Sequence, residues 1–322
     1  MGAFKHIDFL LKNNKNEEAF QLILDLKEKS KTLTVDEIGW MYWNLSDIPA
    51  ILRKAETVYK NHVEFVEWGK QSLFPHKLHW FVSDATQALT LSLGDYFGEW
   101  FDWYMYACEH SSRIKDNRGV RFESHRAAVW SLLTLNELSE IDMPLRNMLD
   151  VIEEDQNWEN KIFAEFTYWT LVAEKAFILD ETELVIEAVK NINLLDDEIK
   201  GVLDAKADEK ESDLFGSWDD LNSSRLNKSS MTVLLHNGAC TFHKIERFEE
   251  SIKLFQSALQ NGVTITTYGL SLYLSSVWKI NRDEKEIIEL FHIHTPDGAA
   301  VDDLFQFVPE LNSIDWRNGG TT

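Results

Sequence analysis

Residues 231–261, MTVLLHNGACTFHKIERFEESIKLFQSALQN, constrain what this chain can fold into more than any other stretch of its 322 residues. Apolar residues recur there at three- and four-residue spacing on either side of a short polar break, which predicts two amphipathic helices joined by a tight turn. The composition extends that reading to the rest of the chain. Five Pro and 14 Gly leave few breakpoints, while Leu, Glu, Lys, Ala and Gln, all good helix formers, dominate the long runs. No convincing strand-turn-strand segment stands out, so an all-α fold is expected.

A first helix pair is expected over residues 3–12 and 17–30, with Phe4, Ile7, Leu10 and Leu11 on one stripe, Phe20, Ile23 and Leu24 on the next, and NNKN as the turn. Thr34 is placed to start another helix, with Asp36 and Glu37 in its first turn, where acids suit the helix dipole. Pro49 fits the opening turn of a helix running through Trp68. Two long helices are expected between Pro75 and His110, split near Gly94 and Asp95. Further helices are expected at about 121–139, 144–154, 158–179, 182–193, 265–280, 283–293 and 299–307. From Asp196 the pattern weakens, with ten acids and three bases between Asp196 and Asp220, which is either a solvated helix followed by a loop or a mobile acidic insertion.

In the 231–261 pair, Ala239, Phe242, Phe248, Ser251, Phe255 and Ala258 fall in an order and spacing that resembles one unit of the tetratricopeptide repeat. That family places small residues where paired helices cross and large ones between neighbouring pairs. Weaker similarity lies in the KNEEAF turn of the first pair, with Ala19 in the small place, and over 86–107 in LGDYFGEW, where Glu99 stands at the small place. The turn-like segments near 16, 95, 181 and 247 are unequally spaced. The expectation is therefore an irregular αα-superhelix of antiparallel helix pairs, tetratricopeptide-like in part. It forms a single elongated domain over 1–322, or sub-lobes 1–195 and 231–322 joined by the acidic segment 196–230.

The formal net charge of −22 is concentrated in one part of the chain. Residues 1–135 hold 16 Lys/Arg and 18 Asp/Glu, and residues 136–322 hold 16 and 36. Such a field repels nucleic acid and anionic membrane, which need Lys and Arg at the contact, and attracts a basic protein surface. Keeping the protein soluble is the simpler use of the same charge. Cys108 and Cys240 cannot form a disulfide framework or a zinc knuckle. The N-terminal MGAFKHIDFLLKNNKNEEAF has charge every few residues, unlike a signal peptide or a membrane span, and position 6 lacks the Ser or Thr of a myristoylation motif. A reducing, cytoplasmic setting follows as the expectation.

No glycine-rich phosphate loop, GxSxG elbow or dinucleotide fingerprint is present. His76 with His79, and His292 with His294, invite a metal reading, but a zinc site needs further ligands, and HExxH and CxxC patterns are missing. No metal or cofactor is expected. Cys108, Glu109 and His110 with Glu123 and His125 could be drawn as a Cys-His pair, yet nothing local activates the thiol. The aromatic run from Trp100 to Tyr106, with Trp40, Trp43, Trp80 and Phe81, suits core packing at least as well as an interface.

The row His236, Asn237, Cys240, His243 and Lys244 shares one side of the first helix of the 231–261 pair, while Ala239 and Phe242 point into the packing. In tetratricopeptide scaffolds that side lines the groove that holds a peptide, so the resemblance implies a partner-facing surface there. A merely wet helix face explains the row equally well. The acids Asp208, Glu209, Glu211, Asp213, Asp219 and Asp220, just upstream, form the second candidate surface. Together these features suggest a non-catalytic scaffold that binds a basic protein, in concrete form an immunity-type inhibitor of a toxin enzyme. A peptide-binding regulator or adaptor and a helical enzyme with an unrecognised site are the alternatives.

Overall fold

Side chains of Thr34, Thr266 and Asp283 cap the helices that follow them, and buried small residues set how closely paired helices approach. The computed structural model describes residues 2–13, 15–51, 57, 60–61, 63–65, 67–68, 118–205, 228–262, 265–295, 301–305 and 307–316. Among these residues the fold is all-α, with helices packed on one another and no strand. The helices are α1 (Gly2–Lys12), α2 (Asn16–Glu28), α3 (Val35–Ile51), α4 (Arg118–Leu135), α5 (Asp142–Glu153) and α6 (Lys161–Ile178). They continue as α7 (Thr182–Ala205), α8 (Lys228–Lys244), α9 (Phe248–Gln260), α10 (Thr267–Asn281), α11 (Glu284–His294) and α12 (Val301–Phe305). None is long and apolar enough to cross a membrane. They divide into two compact units, Met1–Glu153 and Glu154–Thr322. That division falls upstream of the acidic segment 196–230. Residues 196–205 belong to α7, and residues 206–227 lie outside the described residues.

In the first unit α1 packs on α2, α2 on α3, and α4 on α5. Thr34 starts α3 with a reciprocal capping box. Its backbone N–H donates to Glu37 Oε2 at 2.8 Å, and Glu37 N–H donates back to Thr34 Oγ1 at 3.3 Å. Pro49 departs from expectation, because it lies inside α3 and does not open a new helix. A proline there has no N–H for the carbonyl four residues earlier, that of Leu45. Asn61 Nδ2 donates to that oxygen at 2.7 Å, so the helix passes through the proline with its freed acceptor satisfied.

The second unit is a succession of helix pairs. α6 packs on α7, α8 on α9, and α10 on α11, while α8 also touches α6 and α10. Within the 231–261 pair, Ser251 Oγ donates to the Ala239 carbonyl at 2.8 Å, so the small residues mark the crossing. Phe242, Phe255 and Ala258 are fully buried around it. α7 runs twelve residues beyond its expected end at 193. Ile199 and Leu203 prolong its buried face, and the flanking acids Asp197, Glu198 and Asp204 are exposed on the other side.

Three of the turns between helices share one geometry. Asn136, Asp180 and Glu246 adopt left-handed φ values of 59°, 57° and 60°. In each case the next N–H reaches back five residues, from Glu137 to Leu132, Glu181 to Ala176 and Arg247 to Phe242, at 2.9, 2.8 and 2.8 Å. Lys15 makes the same bond to Leu10 at 2.9 Å in the first pair. This is the Schellman closure, which satisfies the last carbonyls of the first helix while turning the chain sharply. The turns at 15, 181 and 247 were legible as breaks, whereas the one at 136 was not.

Asn61→Ala is expected to leave the fully buried Leu45 carbonyl unpaired and to destabilise the first unit by about 1–3 kcal/mol. Urea unfolding followed by tryptophan fluorescence measures this. A midpoint equal to that of the unsubstituted chain would remove Asn61 from the account of how α3 tolerates Pro49.

Candidate functional site

The 236–244 row is carried by α8, the helix with neighbours on both sides, and those neighbours divide the row. Asn237 and Lys244 reach solvent, His236 and His243 are half-buried, and Cys240 is buried. The His236 ring meets Phe255 of α9 edge-on at 5.6 Å, and its Nδ1 lies 3.4 Å from Asn237 Oδ1. Its Nε2 is enclosed without a hydrogen-bond partner and faces Gly269 of α10, where a Cβ would stand only 2.2 Å away. Gly269 is thus required by the ring opposite, not by its own backbone.

His243 Nδ1 lies 2.9 Å from Ser276 Oγ of α10. Ser276 has one proton, in reach of the Leu272 carbonyl at 2.9 Å and of Ser251 Oγ at 3.1 Å. His243 Nδ1 is a third group in reach of the Ser276 hydroxyl, which donates or accepts there according to the imidazole tautomer. Ser276 is fully buried, where a nucleophile has no access to a substrate. Burial also pushes the Cys240 thiol up to about 12, so it stays protonated and weakly nucleophilic. Glu123 and His125 are buried on α4, where desolvation, aided by the Arg121 charge, lowers the His125 pKa to about 4.

Beside the row, Lys244 Nζ pairs with Glu174 of α6 at 2.6 Å. Tyr268 of α10 meets Phe307 edge-on at 5.3 Å. The carboxyl-terminal turn Pro309–Ser313 closes against α10 through Glu310, which binds Lys279 Nζ at 2.9 Å and Ser275 Oγ at 2.8 Å. Glu174, Tyr268, Ser276 and Glu310 have no sequence signal linking them to the row. The Lys244–Glu174 pair alone spans 70 residues.

Charge separates by helix in this unit. The first helices of the pairs, α6, α8 and α10, carry five Lys and two acids, Glu165 and Glu174. The second helices, α7, α9 and α11, carry eleven acids and four Lys. Glu183, Glu187, Asp197, Glu198, Asp204, Glu249 and Glu289 are exposed. Asp196 is the exception, since it is buried, lies 3.9 Å from Lys253 and pairs with Lys200.

The six acids Asp208, Glu209, Glu211, Asp213, Asp219 and Asp220 lie outside the described residues, as do His76, His79, Cys108, His110, the run Trp100–Tyr106 and the segment 86–107. Among the described residues no group of three His, Cys, Asp or Glu is arranged to hold a metal ion. His292 is exposed and His294 is half-buried on α11. Comparison with known proteins finds no matching family model and no matching curated protein.

Burial lowers the pKa of both His236 and His243. The carboxylate of Glu310 opposes the shift at His243, and Lys279 reinforces it. A folded pKa below the unfolded 6.5 means that the unfolded chain takes up protons first as pH falls. The histidines' contribution is therefore complete above the unfolded pKa and is lost as pH falls from there toward their folded values. Urea midpoints measured at about pH 7.5 and about pH 5.5 should show lower stability at the acid end. His236→Gln combined with His243→Asn should flatten that difference. An unchanged pH dependence in the double variant would assign it to other groups, His125 first among them.

Proposed function

We propose that the chain is a non-catalytic protein-binding scaffold, tetratricopeptide-like in its helix pairs, whose partner presents a basic surface. Its most concrete form is an immunity-type inhibitor that acts in the cytoplasm by occluding a basic toxin enzyme such as a nuclease. The observation that carries this reading is the charge of the second helices, eleven acids against four Lys, with most of those acids in solvent. An excess of one sign on these helices steers a partner of opposite sign and disfavours nucleic acid itself.

The alternative of a peptide held on the first helices draws less support. Of its five expected residues only Asn237 and Lys244 are exposed, and Lys244 is already paired with Glu174. The enzyme alternative draws less again, because the serine nearest a histidine, Ser276, is fully enclosed.

The reading is tested by sequencing the genes that flank its own and by assaying the purified full chain against any enzyme with a basic surface encoded there. The chain is expected to bind that enzyme stoichiometrically, abolish its activity and protect cells that express it. Affinity should fall about tenfold or more between low and physiological salt. Binding that ignores salt would contradict the electrostatic basis, and a neighbouring enzyme left fully active would contradict the inhibitor.

A further inference from the structure

The acidic helices differ in what else they expose. Among the described residues of the second unit, α7 and the turn leading into it hold five of the nine exposed large hydrophobic side chains, while the most exposed, Ile293 at 69 %, stands alone on α11. Ile186 is 61 % exposed and Leu194 is 57 % exposed, and the turn exposes Phe177, Ile178 and Leu179 at 37, 40 and 41 %. Ile186 and Leu194 are eight residues apart, about 12 Å along one helix face. On that same solvent face stand Glu183, Glu187, Asp197, Glu198 and Asp204, with Lys190 the one base among them. The opposite face, Ala188, Val189, Ile192, Leu195, Ile199 and Leu203, is buried and accounts for how α7 packs. Stability therefore gives no reason for Ile186 and Leu194. The exposed face of α9, with Glu249, Lys253, Gln256 and Gln260, shows no such apolar pair.

We propose that the outer face of α7 is the docking surface, and that its occupant is a basic amphipathic helix of the partner protein. Apolar side chains two turns apart on that helix cover Ile186 and Leu194, while flanking Lys and Arg meet the five carboxylates. Exposed aliphatic side chains rimmed by charge are the pattern of a partner contact, because the apolar centre supplies affinity and the rim supplies rate and selectivity. An acidic or uncharged amphipathic helix is disfavoured by the same rim. This assignment rests on the basic-partner reading above and names the surface that serves it, on α7 instead of on the 236–244 row of α8.

The probe is a synthetic amphipathic peptide of Leu and Lys with Leu at three- and four-residue spacing, titrated into the full chain. A scrambled peptide of the same composition and a Leu/Glu peptide serve as comparisons. The patterned Leu/Lys peptide should bind, with affinity falling as salt rises, and both comparisons should bind more weakly. Ile186→Ser with Leu194→Ser should weaken binding about tenfold while leaving the circular dichroism unchanged. Glu187→Gln with Asp197→Asn and Glu198→Gln should lower the salt dependence. Neutralising Glu284, Glu286 and Glu289 on α11 should change affinity no more than about twofold. If the Leu/Lys peptide binds these α7 variants as it binds the unsubstituted chain, the α7 assignment falls and the basic-partner reading stands. If the Leu/Glu peptide binds as tightly, or if neither Lys-containing peptide binds at all, the basic-partner reading falls with it.

Discussion

The second unit depends on how closely α8 can approach three neighbours at once. Against α9, the Ser251 hydroxyl reaches the Ala239 carbonyl, a contact that a larger side chain at either position would prevent. Against α6, Gly238 leaves room for the Phe166 ring, whose tip would lie 2.6 Å from a Cβ at that position. Against α10, it is α10 that yields, with Gly269 accommodating the His236 ring. The buried chain from His243 through Ser276 and Ser251 to the Ala239 carbonyl then ties α8, α9 and α10 into one register.

This packing explains why the polar row of α8 does not form one wet face. Residues that a helical projection places on one side meet different neighbours when the helix lies between two others. His236 and His243 are drawn toward α9 and α10, and Lys244 turns to Glu174 of α6. The acids, excluded from these contacts, accumulate on the second helices of the pairs. The separation of charge is thus a consequence of which helices carry the core, and on the solvent face of α7 it coincides with a pair of exposed apolar side chains.

Much of this fold was legible from residue patterning. The helix pair 3–12 with 17–30, the pair within 231–261, the start of α3 at Thr34 and the small-residue crossing at Ala239 and Ser251 all follow from local periodicity and capping. The end of α7 was not, because dense acids hide the period that Ile199 and Leu203 sustain. Pro49 misled because the group that satisfies its orphan acceptor, Asn61, is twelve residues away on another segment. The shared turn geometry escaped because it is built from Asn136, Asp180 and Glu246, three different residue types at unequal spacing. On the surface, the half-buried state of His236 and His243 depends on Phe255, Gly269 and Ser276, 19 to 33 positions distant. No reading of α8 by itself reveals that.

Gly238 is glycine because Phe166 fills the space beside it. A double-mutant cycle between Gly238→Ala and Phe166→Leu measures that dependence directly. Gly238→Ala is expected to lower Tm in the unsubstituted background, against the roughly 1 kcal/mol that alanine contributes to a helix. The same change should become neutral or stabilising once Phe166 is leucine. Gly238→Ala raising Tm equally in both backgrounds would contradict that dependence, and would mean that α6 and α8 do not meet at Phe166.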